Sequence, residues 1–269
     1  IHAQGAGTVQ IEGNTFGSGA NFFGNGFAGD AIVLSGVNGS RIGGTEPEQR
    51  NLIGRAAGAG IWLDSGGPRT VENNFIGLTA NGYGAAPNGV GIRVSHGGGD
   101  IIERNYIGHS STQGILVQAG LDHSAFLQIR SNYIGYAASN NPNSIAPRDA
   151  GNGTNGIRIT SGSGHEIYQN RVAYNGTDGI VVLGGYRARF NANRVYENGQ
   201  LGIDLSPDGV DTQNSDLDEA NRGNRGQNYP VLATAIGSDG SGVVTGSLPS
   251  TTGEFSIQVF RSEERRVGK

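Results

Sequence analysis

Two short phrases of apolar and polar residues alternate along most of this chain. One has an apolar residue, two further residues, an asparagine, one variable residue and an aliphatic residue, as in I-E-R-N-Y-I from Ile102 to Ile107. The other reads Gly-Ile-x-apolar, and its last three copies begin at Gly156, Gly179 and Gly202, 23 residues apart. Two strand-like phrases per repeat at a nearly fixed period indicate a solenoid.

Two solenoid architectures fit a repeat of this length. Leu127, Ile129, Asn132 and Ile134 match the second half of a leucine-rich repeat. However, isoleucine outnumbers leucine, and the segments between the phrases lack the period of a helix. We therefore predict an all-β fold. It is a single-chain, right-handed parallel β-helix of about seven turns, in which each strand pairs with its counterpart one turn away. A short, truncated antiparallel β segment follows.

The asparagine of the first phrase has a structural role in this prediction. A bend between strands leaves backbone groups without sheet partners, and an inward asparagine side chain can satisfy them. Identical asparagines on neighbouring turns can also bond to one another as a ladder. The predicted ladder consists of Asn14, Asn51, Asn74, Asn105, Asn132, Asn170 and Asn193.

Composition supports a β-rich domain and narrows the classes of function. Glycine contributes 49 of the 269 residues and charged residues only 16%, which is not the composition of a helical protein. The net charge of −4 argues against nucleic acid as a partner. No apolar run approaches the roughly 20 residues of a membrane-spanning helix. Since the first phrase begins near Thr8 without a signal peptide, we expect a mature form or a fragment cut near its start.

The repeats stop near residue 206, and the character of the chain then changes. We assign residues 1–206 to the β-helix and the acidic and polar residues 207–232 to a cap and linker. Residues 233–260 contain two segments with period-two alternation, 243–248 and 255–260, which predict paired antiparallel strands of a partial β domain or hairpin. The charged residues 261–269 are interpreted as a non-native tail.

Three features give the chain a specific resemblance. They are the string R-I-G-G-T-E-P-E-Q-R-N-L-I-G from Arg41, the alternation of N-x-I-G with Gly-Ile-x-apolar, and the string G-Q-N-Y-P-V-L ending at Leu232. Across residues 8–232 the chain resembles the right-handed parallel β-helix repeat proteins of the pectin-lyase-like superfamily, in particular a bacterial surface and secreted group. The resemblance implies the fold and an extracellular or cell-surface location. It implies no particular activity, because function depends on sites added to a fold.

Two columns of outward-facing residues are the candidate ligand-binding surfaces. The variable residue of the second phrase gives Val33, Trp62, Arg93, Leu116, Arg158, Val181 and Asp204, and the residue after each ladder asparagine gives Thr15, Leu52, Phe75, Tyr106, Tyr133, Arg171 and Arg194. Aromatic rings pack on sugar C–H groups, and guanidinium groups bind hydroxyls or carboxylates. We therefore expect a structural or carbohydrate-binding module, with a polysaccharide or cell-surface glycan bound by Trp62, Phe75, Arg93, Tyr106, Tyr133, Arg158, Arg171 and Arg194. The alternative is that the stacked residues only stabilise the outer face.

An enzyme is the alternative function, namely a polysaccharide lyase or glycoside hydrolase acting on an acidic polymer such as pectin. The string N-G-T-D-G-I ending at Ile180 is similar to the N-T-D-G motif of polygalacturonase-like members of the superfamily, but the aspartate pair and histidine that follow it there are missing. Such an enzyme would use Asp178, Asp204, Asp208 and Arg158. We expect Asp178 and Asp204 to lie roughly 11 Å apart, farther than the two carboxylates of a glycosidase.

Two further groups of charged residues have predicted roles. Glu12, Glu72, Glu103 and Arg130 form a third column, which we interpret as a solvated charge ladder. Asn214, Asp216 and Asp218 place oxygen atoms at alternate residues, as calcium loops do, but the residues after them depart from the calcium-loop pattern. Calcium is therefore the one candidate cofactor, and a polar cap over the last turn is the other interpretation of this segment. The histidines share no metal-ligand spacing, so we predict no zinc site.

Overall fold

The chain folds as a stack of coils, each built from three short strands. The computed structural model describes residues 1–5, 7–17, 26–96, 98–118, 126–138, 149–185, 187–205, 230–238 and 241–249. The first coil contains β1 (His2–Gln4), β2 (Gln10–Ile11) and β3 (Thr15–Phe16), the second β4 (Ile32–Ser35), β5 (Arg41–Gly43) and β6 (Leu52–Ile53), and the third β7 (Ala59–Leu63), β8 (Thr70–Glu72) and β9 (Phe75–Ile76). A 3₁₀ helix, Pro47–Gln49, lies within the second coil.

The remaining coils repeat the same order of strands. The fourth contains β10 (Val90–Val94), β11 (Asp100–Glu103) and β12 (Tyr106–Ile107), and the fifth β13 (Ile115–Gln118), β14 (Leu127–Arg130) and β15 (Tyr133–Ile134). The sixth contains β16 (Ile157–Ser161), β17 (Glu166–Tyr168) and β18 (Arg171–Ala173), and the seventh β19 (Ile180–Val182), β20 (Arg189–Asn191) and β21 (Arg194–Tyr196). One further strand, β22 (Ile203–Asp204), follows the seventh coil.

Every strand of the stack pairs in parallel with its counterparts in the neighbouring coils, which produces three long sheets. Sheet A contains eight strands, β1, β4, β7, β10, β13, β16, β19 and β22. Sheet B contains seven, β2, β5, β8, β11, β14, β17 and β20, and sheet C contains seven, β3, β6, β9, β12, β15, β18 and β21. The prediction of an all-β parallel β-helix of about seven turns is confirmed, with three strands in each turn.

The core follows from the period-two alternation of each strand. In β7, Ile61 and Leu63 point inward and are fully buried, whereas Trp62 between them lies half-buried on the outer face. Ile61 is in register with Ile32 and Ile92 of the adjacent coils, so aliphatic side chains stack in columns along the interior. Each fully buried aliphatic side chain stabilises the fold by about 1.5–3 kcal/mol. The repeated Gly-Ile phrase therefore specifies sheet A.

The bend between sheets B and C contains the predicted column of asparagines. From Asn51 to Asn170 these side chains are completely buried, and each receives hydrogen bonds from the coil before it. For example, the Nδ2 of Asn74 donates to the Oδ1 of Asn105 over 3.0 Å and to the backbone oxygen of Ile42 over 3.0 Å. Asn14 differs because it lies in the first coil, where its side chain is exposed.

A left-handed residue precedes most asparagines of this column. Gly13 has a φ of 69°, and Asn73, Arg104, Ser131, Gln169 and Ala192 have φ values of 56°, 54°, 56°, 58° and 53°. This conformation costs a residue other than glycine roughly 1–2 kcal/mol. It turns the chain sharply so that the next side chain points into the core, and the hydrogen bonds of that asparagine offset the cost.

A second column of asparagines, which the sequence analysis missed, lies at the bend between sheets C and A. The Nδ2 of Asn152 donates to the Oδ1 of Asn175 over 2.8 Å, and the Nδ2 of Asn175 donates to the Oδ1 of Asn198 over 2.9 Å. Asn88 occupies the same bend in an earlier coil, where its Oδ1 accepts from the backbone N–H of Ala56. Asn152, Asn175 and Asn198 each begin an N-G-x-x-G-I phrase, and Asn88 begins the shorter phrase N-G-x-G-I.

Beyond the β-helix, the structure describes one antiparallel pair. Strand β23 (Val231–Ser238) pairs with β24 (Ser241–Ser247). Part of β24 agrees with the predicted strand at 243–248, whereas the predicted partner at 255–260 lies outside the described residues, and β23 was not predicted. The β23 segment is interrupted by Ala and Gly, so its alternation is weaker than that of 255–260. Among the described residues, no helix has the length and apolar character needed to cross a bilayer.

Candidate functional site

The column of residues after each ladder asparagine runs along the outer face of sheet C. Backbone pairing places Phe75, Tyr106, Tyr133, Arg171 and Arg194 in consecutive register, one in each coil from the third to the seventh. Since neighbouring parallel strands are about 4.8 Å apart, side chains of adjacent coils in this column contact one another directly.

The two tyrosine rings of this column stack on each other, and Phe75 meets Tyr106 edge-on. The rings of Tyr106 and Tyr133 are nearly parallel, with centroids 4.4 Å apart and an interplanar angle of 5°. On the next coil, the guanidinium of Arg171 lies over the Tyr133 ring, 5.3 Å from its centroid. Both faces of Tyr133 are therefore occupied by protein groups. A third ring, that of Tyr136, packs T-shaped against Tyr133 with centroids 6.1 Å apart. The expected packing of a sugar on this aromatic face therefore does not fit the geometry.

Phe75 is not on the surface, although the sequence analysis placed it among the ligand-binding residues. It is 3% exposed and belongs to a small apolar cluster with Leu78, Ala137, Ala138 and Ala150. These four residues come from the chain segments after sheet C in the third and fifth coils. The guanidinium of Arg50 also lies over the Phe75 ring, 4.1 Å from its centroid. The loops thus cover the start of the aromatic column.

A shallow depression of about 340 Å³ lies beside the uncovered half of the column. Its lining consists of Ser131, Asn132, Tyr133, Gln169, Asn170, Arg171, Ala192 and Arg194, with no carboxylate among them. Arg171 is half-buried and Arg194 is exposed. In the portion of the chain that the structure describes, neither guanidinium forms an ion pair. The arrangement is suited to an anion, because two neighbouring positive groups lack a counter-charge.

Ser131 and Gln169 are part of this depression and were not predicted. They are the left-handed residues directly before Asn132 and Asn170. Their side chains meet across adjacent coils, where the Ser131 hydroxyl donates to the Oε1 of Gln169 over 3.5 Å. The sequence signal for them is their fixed position before each ladder asparagine, which turns them outward whenever the asparagine turns inward.

The outward column of sheet A has the predicted register but is less open than expected. Trp62 pairs in register with Arg93, and the Arg93 guanidinium lies over the indole at 4.8 Å. The indole N–H donates to the hydroxyl of Ser95 over 2.8 Å. Farther along, Arg158 is half-buried, whereas Val181 and Asp204 are 3% and 4% exposed. The column therefore presents no continuous outer surface.

The interpretation of the glutamate column as a solvated ladder is wrong for its central members. Glu72 and Glu103 are buried, because arginines from their own and neighbouring coils converge on them. Glu72 accepts from Arg41 over 2.6 Å and also from Arg104, and Glu103 accepts from the Nε of Arg130 over 2.8 Å. Hydrogen bonds to Tyr168 and Glu103 raise the pKa of Arg130. Glu12, in the first coil, is exposed as expected.

The residues of the enzyme alternative have separate surroundings. The carboxylate of Asp178 lies at the bend before β19, where its Oδ1 accepts from the backbone N–H of Leu201 over 2.9 Å and its Oδ2 accepts from the Nδ2 of Asn155 over 3.3 Å. Asp178 thus joins adjacent coils. Asp204 is buried next to Val181 at the end of β22. Asp208 lies outside the described residues.

Two histidines have lowered pKa values within the β-helix. Burial lowers the pKa of His165, which is 1% exposed and whose Nε2 lies 3.2 Å from the backbone oxygen of Ser161. Burial also lowers the pKa of His109, and a hydrogen bond to the backbone of Tyr83 and the charge of Asp149 partly oppose this. Within the described ranges, no three metal-ligating side chains come together. The calcium candidates Asn214, Asp216 and Asp218 lie outside them.

Comparison with known proteins agrees with this architecture. Residues 139–244, less than half of the chain, match the family model described as the right handed beta helix region. No curated protein and no solved structure matches the chain. The family match supplies the hand of the coil, which agrees with the right-handed crossover that parallel strands prefer. With its three stacked parallel sheets, the chain folds as a right-handed parallel β-helix.

Proposed function

We propose that this protein is a secreted or surface-displayed binding module whose depression on sheet C binds an acidic polysaccharide. The observation that carries the proposal is the pair Arg171 and Arg194. They are adjacent in register, line the same depression, and lack carboxylate partners among the described residues. Like charges on directly opposite residues of neighbouring strands destabilise each other. A bound anion between them removes that cost.

A sugar polymer carrying carboxylates suits the rest of the depression. Guanidinium groups form paired hydrogen bonds with carboxylates, and the Ser131 hydroxyl and Gln169 amide can bond to ring hydroxyls. The coil spacing of about 4.8 Å repeats these groups along a line, as a linear polymer repeats its units. Because both faces of Tyr133 are occupied, affinity depends on charge and hydrogen bonds, not on ring stacking.

Affinity electrophoresis through gels containing polygalacturonate or alginate tests this proposal. We expect both polymers to retard the protein, and the variant Arg171→Gln/Arg194→Gln to bind about a hundredfold more weakly, or worse, since hydrogen bonds to charged groups contribute about 1.5–3 kcal/mol each. The matched control is Arg189→Gln on sheet B of the seventh coil, whose side chain is 77% exposed. Equal retardation of the double variant and the wild type would contradict the proposal.

Two accompanying measurements sharpen the result. Binding to an uncharged glucan should be absent, and binding to the acidic polymers should weaken from low salt to physiological salt, because exposed charges are screened beyond roughly 8 Å at 0.15 M. Assays of the same incubations for new reducing ends and for unsaturated products test the lyase or hydrolase alternative. Turnover that survives Arg171→Gln/Arg194→Gln but not Asp178→Asn would favour the enzyme.

A further inference from the structure

Among the described residues, the column of sheet C that borders the depression is covered by loops toward the third coil and uncovered toward the seventh. The covering element, which we name the roof, consists of residues 78–85 and 136–138. Residues 78–85 form a small hairpin in which Leu78 and Ala85 pair as antiparallel neighbours. The Oδ1 of Asn81 stiffens its tip by accepting from the Thr79 hydroxyl over 2.5 Å and from the backbone N–H of Tyr83 over 3.1 Å.

The two parts of the roof are joined directly above Phe75. The backbone N–H of Ala138 donates to the oxygen of Gly82 over 2.6 Å. Gly82 has a φ of 79°, and a Cβ added there would lie 3.1 Å from the Cε2 of Phe75 and would collide with Ala138. Glycine is therefore needed for this close approach. Phe75 is sealed by the roof on its outer side and by Arg50 on its flank.

At the bend between sheets B and C, the fourth coil is also covered by a side chain. Arg104 occupies the fourth coil at the position that Ser131 and Gln169 hold in the fifth and sixth. Its guanidinium turns back onto Glu72 and Glu103, so its charge is neutralised by protein groups. Tyr106, between Phe75 and Tyr133, is packed against the roof cluster and stacked on Tyr133. Among the described residues, the arginines of this column that form no ion pair, Arg171 and Arg194, lie beyond Tyr133.

We infer that the depression binds the end of a uronic acid chain and not its middle, with the terminal sugar at Tyr133, whose ring contacts Tyr136 of the roof. This inference rests on the proposed function. A chain that continued past Tyr133 toward Phe75 would meet the roof, which shares a buried apolar cluster with the sheet beneath it. The roof, and in particular Gly82, therefore determines ligand specificity by selecting chain ends.

Stoichiometry tests the inference without a variant. We would titrate the protein with oligogalacturonates of increasing length and measure, by calorimetry and sedimentation, how many protein molecules one chain binds. Recognition of a chain end predicts one protein per chain at every length. A number that grows with chain length overturns the inference. If that growth is lost in Arg171→Gln/Arg194→Gln, the proposed function stands while the inference fails, and if no oligomer binds, both fail.

Labelled ligands and a roof variant provide the second test. We would compare an oligogalacturonate carrying a bulky fluorophore at its reducing end with one carrying it at the other end. One of the two should bind about tenfold more weakly than the unlabelled oligomer, since its labelled terminus faces the roof. Replacing residues 79–84 by Asn-Gly, which closes a two-residue hairpin turn between Leu78 and Ala85, should restore its affinity. Equal affinity of both labelled oligomers for the wild type overturns the inference.

Discussion

The Oδ1 of Asn132 accepts two hydrogen bonds from Asn105, one from its backbone N–H over 3.0 Å and one from its Nδ2 over 3.1 Å. The Nδ2 of Asn132 in turn donates to the backbone oxygen of Ile102 over 2.8 Å. Asn132 therefore satisfies buried polar groups of the preceding coil that water cannot reach. The same relationship recurs along the stack and holds the bend between sheets B and C.

Replacing this side chain should destabilise the β-helix strongly. Asn132→Ala removes the acceptor of the buried Asn105 N–H and the donor to Ile102, and we expect a loss of about 3 kcal/mol in the free energy of unfolding. Urea denaturation followed by circular dichroism measures this loss. The matched control is Asn14→Ala, at the exposed first member of the same column, which should cost less than about 1 kcal/mol. Equal losses at the two positions would contradict the role assigned to burial.

The ion pair of Arg69 and Asp100 allows a test by a double-mutant cycle. Both side chains are buried, and the Nη2 of Arg69 donates to the Oδ2 of Asp100 over 2.8 Å. Arg69→Met should destabilise the protein by about 3–5 kcal/mol because it leaves a buried carboxylate unpaired. The double variant Arg69→Met/Asp100→Leu should be more stable than Arg69→Met. The two side chains are not coupled if the double variant loses as much free energy of unfolding as Arg69→Met and Asp100→Leu lose together.

The glutamate column provides a test of the buried charge network. Glu72→Gln leaves Arg41 without its carboxylate and Arg104 with Glu103 alone, so we expect it to destabilise the protein by about 2 kcal/mol. Glu12→Gln, at the exposed end of the same column, should change the free energy of unfolding by no more than about 0.5 kcal/mol. Thermal melting of both variants at low and high salt would check this. If the column were a solvated ladder, both variants would change the melting temperature slightly, and salt would alter the two changes equally.

The buried His165 predicts a loss of stability in mild acid. Burial lowers its pKa in the folded state, and among the described residues its Nδ1 has no partner to accept a hydrogen bond from the charged ring. Above the ordinary histidine pKa of about 6.5, both folded and unfolded states are neutral and stability is greatest. As the pH falls below that value, the unfolded state binds the proton first, so stability declines toward the lowered folded pKa.

Melting temperatures recorded between neutral and acidic pH check this expectation. His165→Gln should flatten the pH dependence below about 6.5, whatever its effect on stability at neutral pH. The control His2→Gln, at an exposed position of β1, should retain the wild-type slope. An unchanged slope in His165→Gln would assign the acid sensitivity to other groups, His109 first among them.

The sequence by itself determined the coil, the register of its strands and the first asparagine column. A buried column needs the same residue type at the same point of each repeat. The Gly-Ile and asparagine phrases therefore identify the buried residues directly. The outward residues could be placed in columns for the same reason. As the phrases predict, Trp62 pairs with Arg93 and Tyr106 pairs with Tyr133. The second asparagine column was also present in the sequence as an N-G-x-x-G-I phrase, but it was not recognised.

Only the tertiary structure decided which outward residues meet solvent. Phe75 and Tyr133 occupy equivalent positions of the repeat, yet the roof covers the first and leaves the second beside the depression. Glu12 and Glu72 are likewise equivalent, and arginines from different coils bury only Glu72. Loops and long side chains do not follow the period of the repeat, because their contacts come from distant and non-repeating parts of the chain. The repeat therefore encodes the interior, and the irregular segments determine the surface available for function.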